Sequence, residues 1–326
     1  MLQLHRFNRV SRQFFPRILN PSFFSTTTTN GSKTSPAPSP PPIQVLLTES
    51  AGRGVFATRN IQPGELIHTA QPLISHPLLS SIHKVCYFCL KNIPKDSKFQ
   101  THDVLFCSEH CREQAKGFYQ VEKEADWSAF VAHCQDMGLN YPFLAKRLAC
   151  MVISGATSTN SLDILQPERL SDERISHMKN EVGLLRGALE DSGVTDEQLR
   201  FLTFEWYTGV LARIRINAFR IELAGGCYED LHALAAALVE SEAGVGNAVY
   251  ILPSFYNHDC DPNTHIIWVE NVEARLKALR EIKAGEELRI CYIDASMDRD
   301  ARQDILSYGF GFDCHCPRCI SDDCLD

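Results

Sequence analysis

Hydrophobic and polar positions follow two different periods along the chain, and the changes between them divide it into successive blocks. Near the beginning, short apolar or alternating runs predict strands at 43–48, 55–57 and 65–69. In the middle, apolar residues at three- and four-residue intervals predict helices at 125–134, 141–154, 167–188, 196–217 and 229–241. Strands return at 248–252, 265–269, 274–278 and 288–292. A short helix at 297–306 follows, with Ser296 as its predicted N-cap.

These blocks predict six segments within one large or two moderate domains. The segments are a leader at 1–42, a first strand segment at 43–84, a cysteine finger at 85–114, a helical segment at 115–242, a second strand segment at 243–295 and a cysteine-rich tail at 296–326. The 326 residues are 44% hydrophobic, which is enough to bury a substantial core. No apolar run approaches the roughly 20 residues of a membrane helix, so no membrane association is predicted.

The leader has a composition of its own. It contains five basic residues and no acidic ones, and the first acid in the chain is Glu49. An amphipathic leader that is rich in Arg and Ser and free of acids is typical of a transit peptide, so we predict import into the mitochondrion or, second, a plastid. The alternative is a disordered basic tail that binds nucleic acid or another partner. The proline-rich stretch at 34–42 predicts an extended spacer.

The charge of the remaining chain predicts the kind of partner. Without the leader the formal charge changes from −8 to −13, because five basic residues and no acidic ones are removed. An acidic body attracts basic proteins, such as a histone tail or a ribosomal protein, and repels nucleic acid. The sequence also has no basic stripe for nucleic acid, so direct binding of DNA or RNA is not expected. The alternative is that the acidic charge only keeps the protein soluble.

Most of the thirteen cysteines have the spacings of metal ligands. Together with the absence of a secretory apolar segment, this spacing favours a reducing, intracellular compartment over a disulfide framework. One set has the pattern C-x2-C-x17-C-x3-C and consists of Cys86, Cys89, Cys107 and Cys111. Two close pairs joined by a short loop predict one tetrahedral zinc site, with a Zn–S distance of about 2.3 Å.

A second cysteine set is one ligand short within its own segment. It has the pattern C-x-C-x2-C and consists of Cys314, Cys316 and Cys319. A structural zinc needs a fourth ligand, for which Cys260 and Cys324 are the candidates. If Cys260 is that ligand, the metal holds the Asn257-His258 turn beside the chain that follows Tyr292. The two sets together predict about two zinc ions.

Four motifs around these cysteines resemble the SET domain, the catalytic core of protein-lysine methyltransferases. They are ESAGRGVFAT at 49–58, NHDCDPN at 257–263, CYID at 291–294 and CHCPRC at 314–319. Because a cysteine finger separates the two halves, the chain resembles the SET-and-MYND type, and most of all the plant Trithorax-related SET proteins. The likeness extends discontinuously from about residue 45 to residue 319, and in that family the fourth ligand of the second zinc is the cysteine at the position of Cys260.

The resemblance implies an α+β fold. A β-rich SET core would be split by a zinc finger and a helical insertion, and a cysteine-rich post-SET zinc cluster would follow. The resemblance also implies that the first and last strand groups pair across the intervening chain, which periodicity alone does not show.

The resemblance further implies that S-adenosylmethionine is the methyl donor. Matching positions are Gly52, Arg53 and Gly54 at its methionine part, Asn217 at its amino-acid end, Asn257 and His258 at the adenosine, and Phe312 at the adenine. From the residues alone, other roles stay open. Paired glycines usually form an ordinary turn, an asparagine late in an apolar helix is often a cap or a buried polar plug, and the Asn-His turn can be a simple hydrogen-bonded turn.

Tyr292 is the residue that we predict to carry the chemistry and to border the cofactor. Methyl transfer is an in-line displacement by a neutral lysine amine, for which the protein mainly supplies alignment. A Tyr hydroxyl at the end of a strand can orient the amine and contact the polarised methyl group. In the family, the residue at the position of Phe310 is an aromatic side chain that lines the lysine channel. The predicted function is therefore protein-lysine N-methylation, of a histone or of a non-histone organellar protein.

Two further alternatives stay open at this point. Asp259 stands where the family often has Ser, and the finger lacks the further ligand pair of a full MYND finger. Both departures motivate a catalytically weak zinc scaffold that acts as a protein-interaction module. Histones are the family's usual substrate and the nucleus its usual location, whereas the leader favours an organelle.

Overall fold

Each sheet in the described part of the chain joins strands from its beginning to strands from its end. The computed structural model describes residues 40–94, 104–224 and 244–321, so the leader up to residue 39 and the predicted helix at 229–241 lie outside it. The strands are β1 Ile43–Leu47, β2 Arg53–Ala57, β3 Leu66–Ala70, β4 Ile74–Pro77, β5 Ala218–Ile221, β6 Gly246–Val249, β7 Asn257–His258, β8 Thr264–Ile267, β9 Ala274–Ala278 and β10 Glu287–Ile290. The prediction of an α+β fold is confirmed.

The helices lie mainly between β4 and β5. They are α1 Glu109–Glu124, α2 Ser128–Asp136, α3 Tyr141–Ile153, α4 Asp172–Asp191, α5 Asp196–Leu199, α6 Phe204–Asn217, α7 Arg299–Phe310 and α8 Pro317–Ile320, with a short 3₁₀ turn at Pro253–Phe255. Among the described residues, none of the helices has the length and apolar character needed to cross a membrane.

Three sheets set the positions of the loops that form the candidate site. Their strand orders are β1-β2-β10-β7, β3-β9-β8 and β4-β6-β5. All the pairings are antiparallel except that of β10 with β7, which is parallel and places Arg289 opposite Asn257 and Ile290 opposite His258. The Asn-His turn therefore runs beside the end of β10, where Tyr292 follows. The expected pairing of early and late strands is present.

Several predicted helix boundaries are wrong, and capping residues explain them. Ser171 accepts a hydrogen bond from the Arg174 amide, so α4 begins there and not at residue 167. The predicted helix at 196–217 is broken, because Thr195 starts α5 with a capping box and Thr203 starts α6 only a few residues later. The last long helix is capped by Asp298 and not by Ser296, and Gly311, with φ 78°, ends it.

Strands β4, β5 and β7 and helices α1 and α8 are found where no such element is predicted. Helix α1 begins inside the finger at Glu109, and strand β4 follows the first strand group. Strand β5 lies within the predicted helical segment and pairs with β6. These short or partly polar stretches lack a clear period of their own, so only the sheet that they join identifies them.

One buried arginine joins the finger to the helices. Arg147 of α3 is 2% exposed, and its guanidinium lies between two aromatic rings, 4.3 Å from the centroid of Tyr87 and 4.2 Å from that of Phe118. Its Nε donates to Glu122 of α1 at 2.6 Å, and its Nη1 donates to the Ser75 carbonyl at 2.9 Å. Because Tyr87 follows Cys86, the first cysteine of the finger, this arginine ties the finger, β4, α1 and α3 together.

Candidate active site at the junction of two cavities

Four cysteines near the end of the described chain lie close enough to hold one metal ion. Their Sγ atoms are within 4.8 Å of one another and all four side chains are buried: Cys260, Cys314, Cys316 and Cys319. Tetrahedral zinc with Zn–S bonds of about 2.3 Å holds its thiolates roughly 3.8 Å apart. Cys260 Sγ lies 3.5 Å from Cys319 Sγ and 4.0 Å from Cys314 Sγ. These residues, here called the Cys260 cluster, therefore fit zinc; Cys324 lies outside the described residues.

Two polar side chains of α7 support the Cys260 cluster. Gln303 holds the Cys314 backbone with two hydrogen bonds, donating to its carbonyl at 2.7 Å and accepting from its amide at 2.9 Å. Arg302 is buried, and its Nη2 lies 3.7 Å from Cys319 Sγ. Burial raises the pKa of Cys319, but hydrogen bonds from Arg302 and from neighbouring thiols together have the larger, opposite effect. The net pKa is therefore below the ordinary value. The guanidinium therefore favours the thiolate form that binds metal.

The cysteines of the finger also come together. The Sγ atoms of the finger cluster lie within 4.8 Å of one another: Cys86, Cys89, Cys107 and Cys111. Cys107 Sγ is 3.5 Å from Cys89 Sγ and 3.4 Å from Cys111 Sγ. Ser108 caps α1 by accepting from the Cys111 amide at 3.2 Å, which places that thiol in the first turn of the helix. This donor set also fits one zinc ion.

His258 lies between the Cys260 cluster and Tyr292. Its Nε2 is 3.2 Å from Cys260 Sγ, and its Nδ1 accepts a hydrogen bond from the Tyr292 backbone amide at 3.0 Å. Burial lowers the pKa of His258 to about 4, so the imidazole is neutral at pH 7. Both ring nitrogens are engaged by the protein itself.

Tyr292 lies two residues beyond the end of β10, and both its amide and its hydroxyl are hydrogen-bonded. The hydroxyl donates to the backbone carbonyl of Tyr256 at 2.7 Å. Burial, followed by the charge of Glu287, raises the pKa of the Tyr292 phenol above its ordinary value, so the phenol stays protonated at neutral pH. Because its one hydrogen is donated to Tyr256, only the oxygen lone pairs remain for a third group.

Two cavities meet at Tyr292. The first, of about 580 Å³, is here called the turn cavity because it lies against the Gly-Arg-Gly turn and the Asn-His turn. The second, of about 900 Å³, is here called the strand cavity because it lies between β5 and β8. The residues that line both are Ile216, Asn217, Ser254, Tyr292 and Phe310. The residues predicted to bind the cofactor or to line the lysine channel that border the turn cavity are Arg53, Asn217, Asn257, His258, Tyr292, Phe310 and Phe312.

Hydrogen bonds hold the Gly-Arg-Gly turn against Asn257. Gly52 has φ 73°, a left-handed conformation that glycine adopts at little cost. Asn257 donates from Nδ2 to the Arg53 carbonyl at 3.1 Å and to Glu287 Oε1 at 2.7 Å. Gly54 packs on the same carboxylate, since a Cβ there would lie 2.5 Å from Glu287 Oε1. The two glycines thus serve the turn and its packing, while Arg53 forms part of the cavity wall.

The charge of Asp259 is balanced within this corner. Arg289 donates to Glu287 Oε2 from Nε at 2.9 Å and from Nη2 at 2.6 Å, and its Nη1 lies 3.5 Å from Asp259 Oδ2. Asp259 also accepts from the Asp261 amide at 2.9 Å. Asp259, one of the two grounds for the scaffold alternative, is therefore a carboxylate paired with an arginine.

Asn217 is the last residue of α6. Its side-chain nitrogen holds the backbone, and its side-chain oxygen is available to a ligand. Its Nδ2 donates to the Gln166 carbonyl at 2.8 Å and to the Arg213 carbonyl at 2.7 Å. The second bond, to the residue four positions earlier, is the one expected of a buried polar plug. With both amide hydrogens used, Oδ1 is the atom of this side chain that can still accept a hydrogen bond at the junction of the cavities.

A comparison with protein-family models identifies the architecture. A model described as SET domain matches residues 52–293, from the Gly-Arg-Gly turn to the residue after Tyr292. This chain belongs to the SET domain family. The matched SET range includes the finger and the helices between the early and late strands.

Individual relatives agree with the SET assignment. Histone-lysine N-methyltransferase ATXR4 of Arabidopsis thaliana is 54% identical over 319 residues, which cover 97% of this chain and 98% of the relative. A SET and MYND domain-containing protein of Dictyostelium discoideum is 25% identical over 79% of this chain and 77% of its own length. The crystal structure of the SET domain of LSMT bound to lysine and AdoHcy has a TM-score of 0.36, with 13% identity over 85% of this chain and 54% of that one, too distant a likeness to inform on ligands. The predictions of a split SET domain protein and of a protein-lysine methyltransferase are confirmed.

Three residues that shape this SET site were not predicted from the sequence: Tyr256, Glu287 and Arg289. Glu287 and Arg289 alternate with apolar residues on β10, a pattern that indicates a solvent-facing side of a strand. In the structure that side faces the Gly-Arg-Gly turn. For Tyr256 the sequence carries no signal, because its contribution is a backbone carbonyl.

Proposed function

We propose that this SET domain protein transfers a methyl group from S-adenosylmethionine to the side-chain amine of a lysine in a protein substrate. The observation that carries the proposal is the wall shared by the two cavities, which contains Tyr292 and Phe310. In an in-line displacement the donor and the acceptor approach one carbon atom from opposite sides, and the enzyme gains by holding both in line. The turn cavity and the strand cavity, which meet at the Tyr292 phenol, provide such an arrangement.

The polar groups of the turn cavity support S-adenosylmethionine as the ligand there. Asn217 and Asn257 have both used their amide hydrogens, so each offers an Oδ1 acceptor. Acceptors suit the ammonium group and the adenine amino group of this cofactor. Phe312 lines the cavity and is 37% exposed, which leaves a ring face for the adenine. These residues would hold the cofactor, which supplies an electrophilic methyl group on a cationic sulfur.

The strand cavity supports an extended peptide as the second substrate. Strands β5 and β8 are each at the edge of a sheet, and residues of both line the cavity. Free strand edges offer backbone donors and acceptors to an added strand. A lysine on such a peptide would point toward Phe310 and Tyr292, where the two cavities meet.

Tyr292 would align the amine rather than exchange protons with it. Its hydroxyl hydrogen is held by the Tyr256 carbonyl, so its oxygen can accept a hydrogen bond from the lysine nitrogen. The raised pKa keeps the phenol neutral throughout. Lysine must lose its proton before it attacks, and both partial burial and nearby positive charge lower a lysine pKa. Phe310, with its ring centroid 5.1 Å from that of Tyr292, would exclude water from the same point.

We propose zinc at both cysteine clusters, about two ions for each chain. The thiol sets, their separations and the burial of the Cys260 cluster support this assignment. In the Cys260 cluster the metal would join the Asn-His turn to the segment that carries Phe312, which forms one wall of the turn cavity.

We propose a basic protein as the substrate and an organelle, the mitochondrion before a plastid, as the location. The formal charge of −13 outside residues 1–42 supports a basic partner. The acid-free leader supports import, although residues 1–39 lie outside the described part of the chain. The alternative is a histone in the nucleus, which the name of the Arabidopsis relative supports. A full-length fluorescent fusion that stayed nuclear with an uncut amino terminus would contradict import.

The test of the activity is transfer of radiolabelled methyl groups to proteins in nuclear and organellar extracts. We expect the zinc-loaded chain to label a basic protein, and Tyr292→Phe to reduce labelling by about 100-fold, the usual loss for one aligned polar group at a reacting centre. Tyr308→Phe is the matched control, because Tyr308 is 80% exposed. If calorimetry shows that the zinc-loaded protein does not bind S-adenosylmethionine, the scaffold alternative is favoured and the proposed activity is wrong.

A further inference from the structure

We propose that His258 is a positioning residue that couples the Cys260 cluster to Tyr292 through its two ring nitrogens. The inference rests on the proposed function for its kinetic consequence. Its structural part rests on two distances, 3.2 Å from His258 Nε2 to Cys260 Sγ and 3.0 Å from the Tyr292 amide nitrogen to His258 Nδ1. The imidazole is 7% exposed, so water does not compete strongly for either nitrogen.

The direction of these hydrogen bonds fixes the tautomer of His258. A backbone amide can only donate, so Nδ1 must be the unprotonated acceptor of the Tyr292 N–H. With Nδ1 unprotonated, the ring hydrogen is on Nε2, which faces Cys260 Sγ. A metal-bound cysteine is a thiolate and accepts a hydrogen bond. The hydrogen bonds therefore run in one direction, from the Tyr292 amide to His258 and from His258 to the sulfur of the cluster.

These hydrogen bonds hold the backbone amide of Tyr292, while the Tyr256 carbonyl holds its hydroxyl. The amide is fixed through His258 and the cluster, and the phenol is fixed by the Tyr256 carbonyl at 2.7 Å. A thiolate that binds metal has an additional role here, because Cys260 also orients the ring that receives the Tyr292 amide. Groups that hydrogen-bond to metal ligands typically change metal affinity 10- to 100-fold when they are removed. The same side chain should therefore affect both metal retention and the alignment of the phenol.

Two substitutions separate the two hydrogen bonds of His258. In His258→Asn, Oδ1 takes the place of Nδ1 and can still accept from Tyr292, but the side chain is too short to reach Cys260. In His258→Gln, the terminal amide takes the place of Nε2 and can still donate to Cys260, but the acceptor for Tyr292 is lost. His177→Gln is the control, because His177 is an exposed residue of α4.

The first measurement is zinc release to a chromogenic chelator, which needs no methyl-transfer activity. Two phases are expected, one for each cluster. We expect His258→Asn to speed one phase about 10-fold and to leave the other unchanged, while His258→Gln and His177→Gln release zinc as the unaltered protein does. Equal release rates for all three variants and the unaltered protein would contradict a hydrogen bond from His258 to Cys260 that supports metal binding.

The second measurement is kinetic, with zinc in excess. We expect His258→Gln to lower kcat by at least about 10-fold while the KM for S-adenosylmethionine changes less than about 3-fold, and His258→Asn to lower kcat by a smaller factor than His258→Gln does, since alignment acts on the reacting state. Parallel loss of kcat and zinc in both variants would show a purely structural role and overturn the coupling. If the unaltered chain transfers no methyl groups, the proposed function fails, while the zinc-release measurement still tests the hydrogen bond between His258 and Cys260.

A third measurement uses the unaltered zinc-loaded protein and does not depend on whether a variant folds. Nitrogen-15 spectra of the imidazole groups distinguish the protonation of Nδ1 from that of Nε2. We expect His258 to carry its hydrogen on Nε2 alone, and the Tyr292 amide resonance to shift when zinc is removed. A hydrogen on Nδ1, or a Tyr292 amide that is insensitive to zinc, would contradict the proposal.

Discussion

The hydroxyl of Tyr292 donates a hydrogen bond to the backbone carbonyl of Tyr256 at 2.7 Å, and the Tyr256 side chain is itself anchored in another sheet. The Tyr256 hydroxyl lies 2.9 Å from Nε2 of His68 on β3, whose Nδ1 is 3.1 Å from the Thr69 carbonyl. Because a carbonyl can only accept, Nδ1 carries the ring hydrogen and the Tyr256 hydroxyl donates to Nε2. The position of the phenol at the cavity junction thus depends on a histidine of the sheet β3-β9-β8.

Tyr256→Phe tests this dependence. Removing the hydroxyl leaves Nε2 of the buried His68 without its donor, which should destabilise the protein by about 1–3 kcal/mol. The carbonyl that holds Tyr292 also loses its anchor, so we expect kcat for methyl transfer to fall several-fold. Urea unfolding and methyl-transfer kinetics measure the two effects.

Tyr250→Phe is the matched control for that variant. Tyr250 is equally buried, and its hydroxyl donates to the Val272 carbonyl and accepts from Trp268 Nε1 at 2.8 Å. Tyr250→Phe should lose about as much stability as Tyr256→Phe, but the folded variant should keep the kcat of the unaltered protein. If both variants lose kcat equally, loss of stability rather than misplacement of Tyr292 explains the first result.

Gly54→Ala should weaken cofactor binding without touching the cofactor. The new Cβ would lie 2.5 Å from Glu287 Oε1 and 2.9 Å from Thr48 Cγ2, so the carboxylate must move. Glu287 holds Asn257 and Arg289, and its displacement should disturb the turn cavity. We expect the Kd for S-adenosylmethionine, measured by calorimetry, to rise about 10-fold or more, a loss of at least ~1.4 kcal/mol.

The control for this change is Gly187→Ala in the C-terminal half of α4. No atom outside the helix lies within 4 Å of the position of its Cβ. Alanine should therefore stabilise the helix by up to about 1 kcal/mol and leave the Kd unchanged. An unchanged Kd in Gly54→Ala as well would mean that the Glu287 carboxylate does not position the cavity wall.

Features set by local spacing could be predicted from the sequence, whereas features set by strand pairing could not. The two cysteine sets were recognisable from their spacing, and the structure brings each set together. Tyr292 was singled out by its position in a motif, and the structure places it at the junction of the two cavities. The contacts of Glu287 depend on the pairing of β10 with β2 and β7, which no local pattern gives. Arg147 shows the same limit, since a charged residue in a helix normally indicates an exposed face. Its carboxylate partner Glu122 lies on another helix and makes burial possible.

Glu122→Gln should strongly destabilise the protein. Glu122 and Arg147 have side chains that are 3% and 2% exposed, and their ion pair joins α1 to α3. Burial alone would raise the pKa of Glu122, but the charges of Arg147 and Lys146 lower it below its ordinary value, so the carboxylate is ionised. Removing its charge leaves a buried guanidinium without a counter-ion, which typically costs about 3–5 kcal/mol. Urea unfolding at pH 7 measures this loss, and a loss below ~1 kcal/mol would contradict it.

Glu181→Gln should behave differently and show a dependence on pH. Burial raises the pKa of Glu181 despite the hydrogen bond from the Tyr207 hydroxyl at 2.8 Å. A carboxyl group with a raised folded pKa contributes stability below its unfolded pKa of about 4.3 and loses that contribution as pH rises through its folded pKa. The amide has no such loss. The stability of the variant relative to the unaltered protein should therefore increase as the pH rises from about 4.3, the unfolded pKa, through the raised folded pKa. A flat difference would refute the raised pKa.

Substitution of a single cysteine in each set should show that the two cysteine clusters have separate roles. Cys316→Ser breaks the Cys260 cluster, and because that cluster fixes both His258 and the segment with Phe312, we expect the loss of about one zinc ion and of S-adenosylmethionine binding. Cys107→Ser breaks the finger cluster, which packs on the helices through Tyr87 and Arg147. It should lose the other ion and some stability while it still binds the cofactor. Elemental analysis counts the zinc and calorimetry measures the binding. Retention of cofactor affinity in Cys316→Ser would show that the turn cavity forms without its metal.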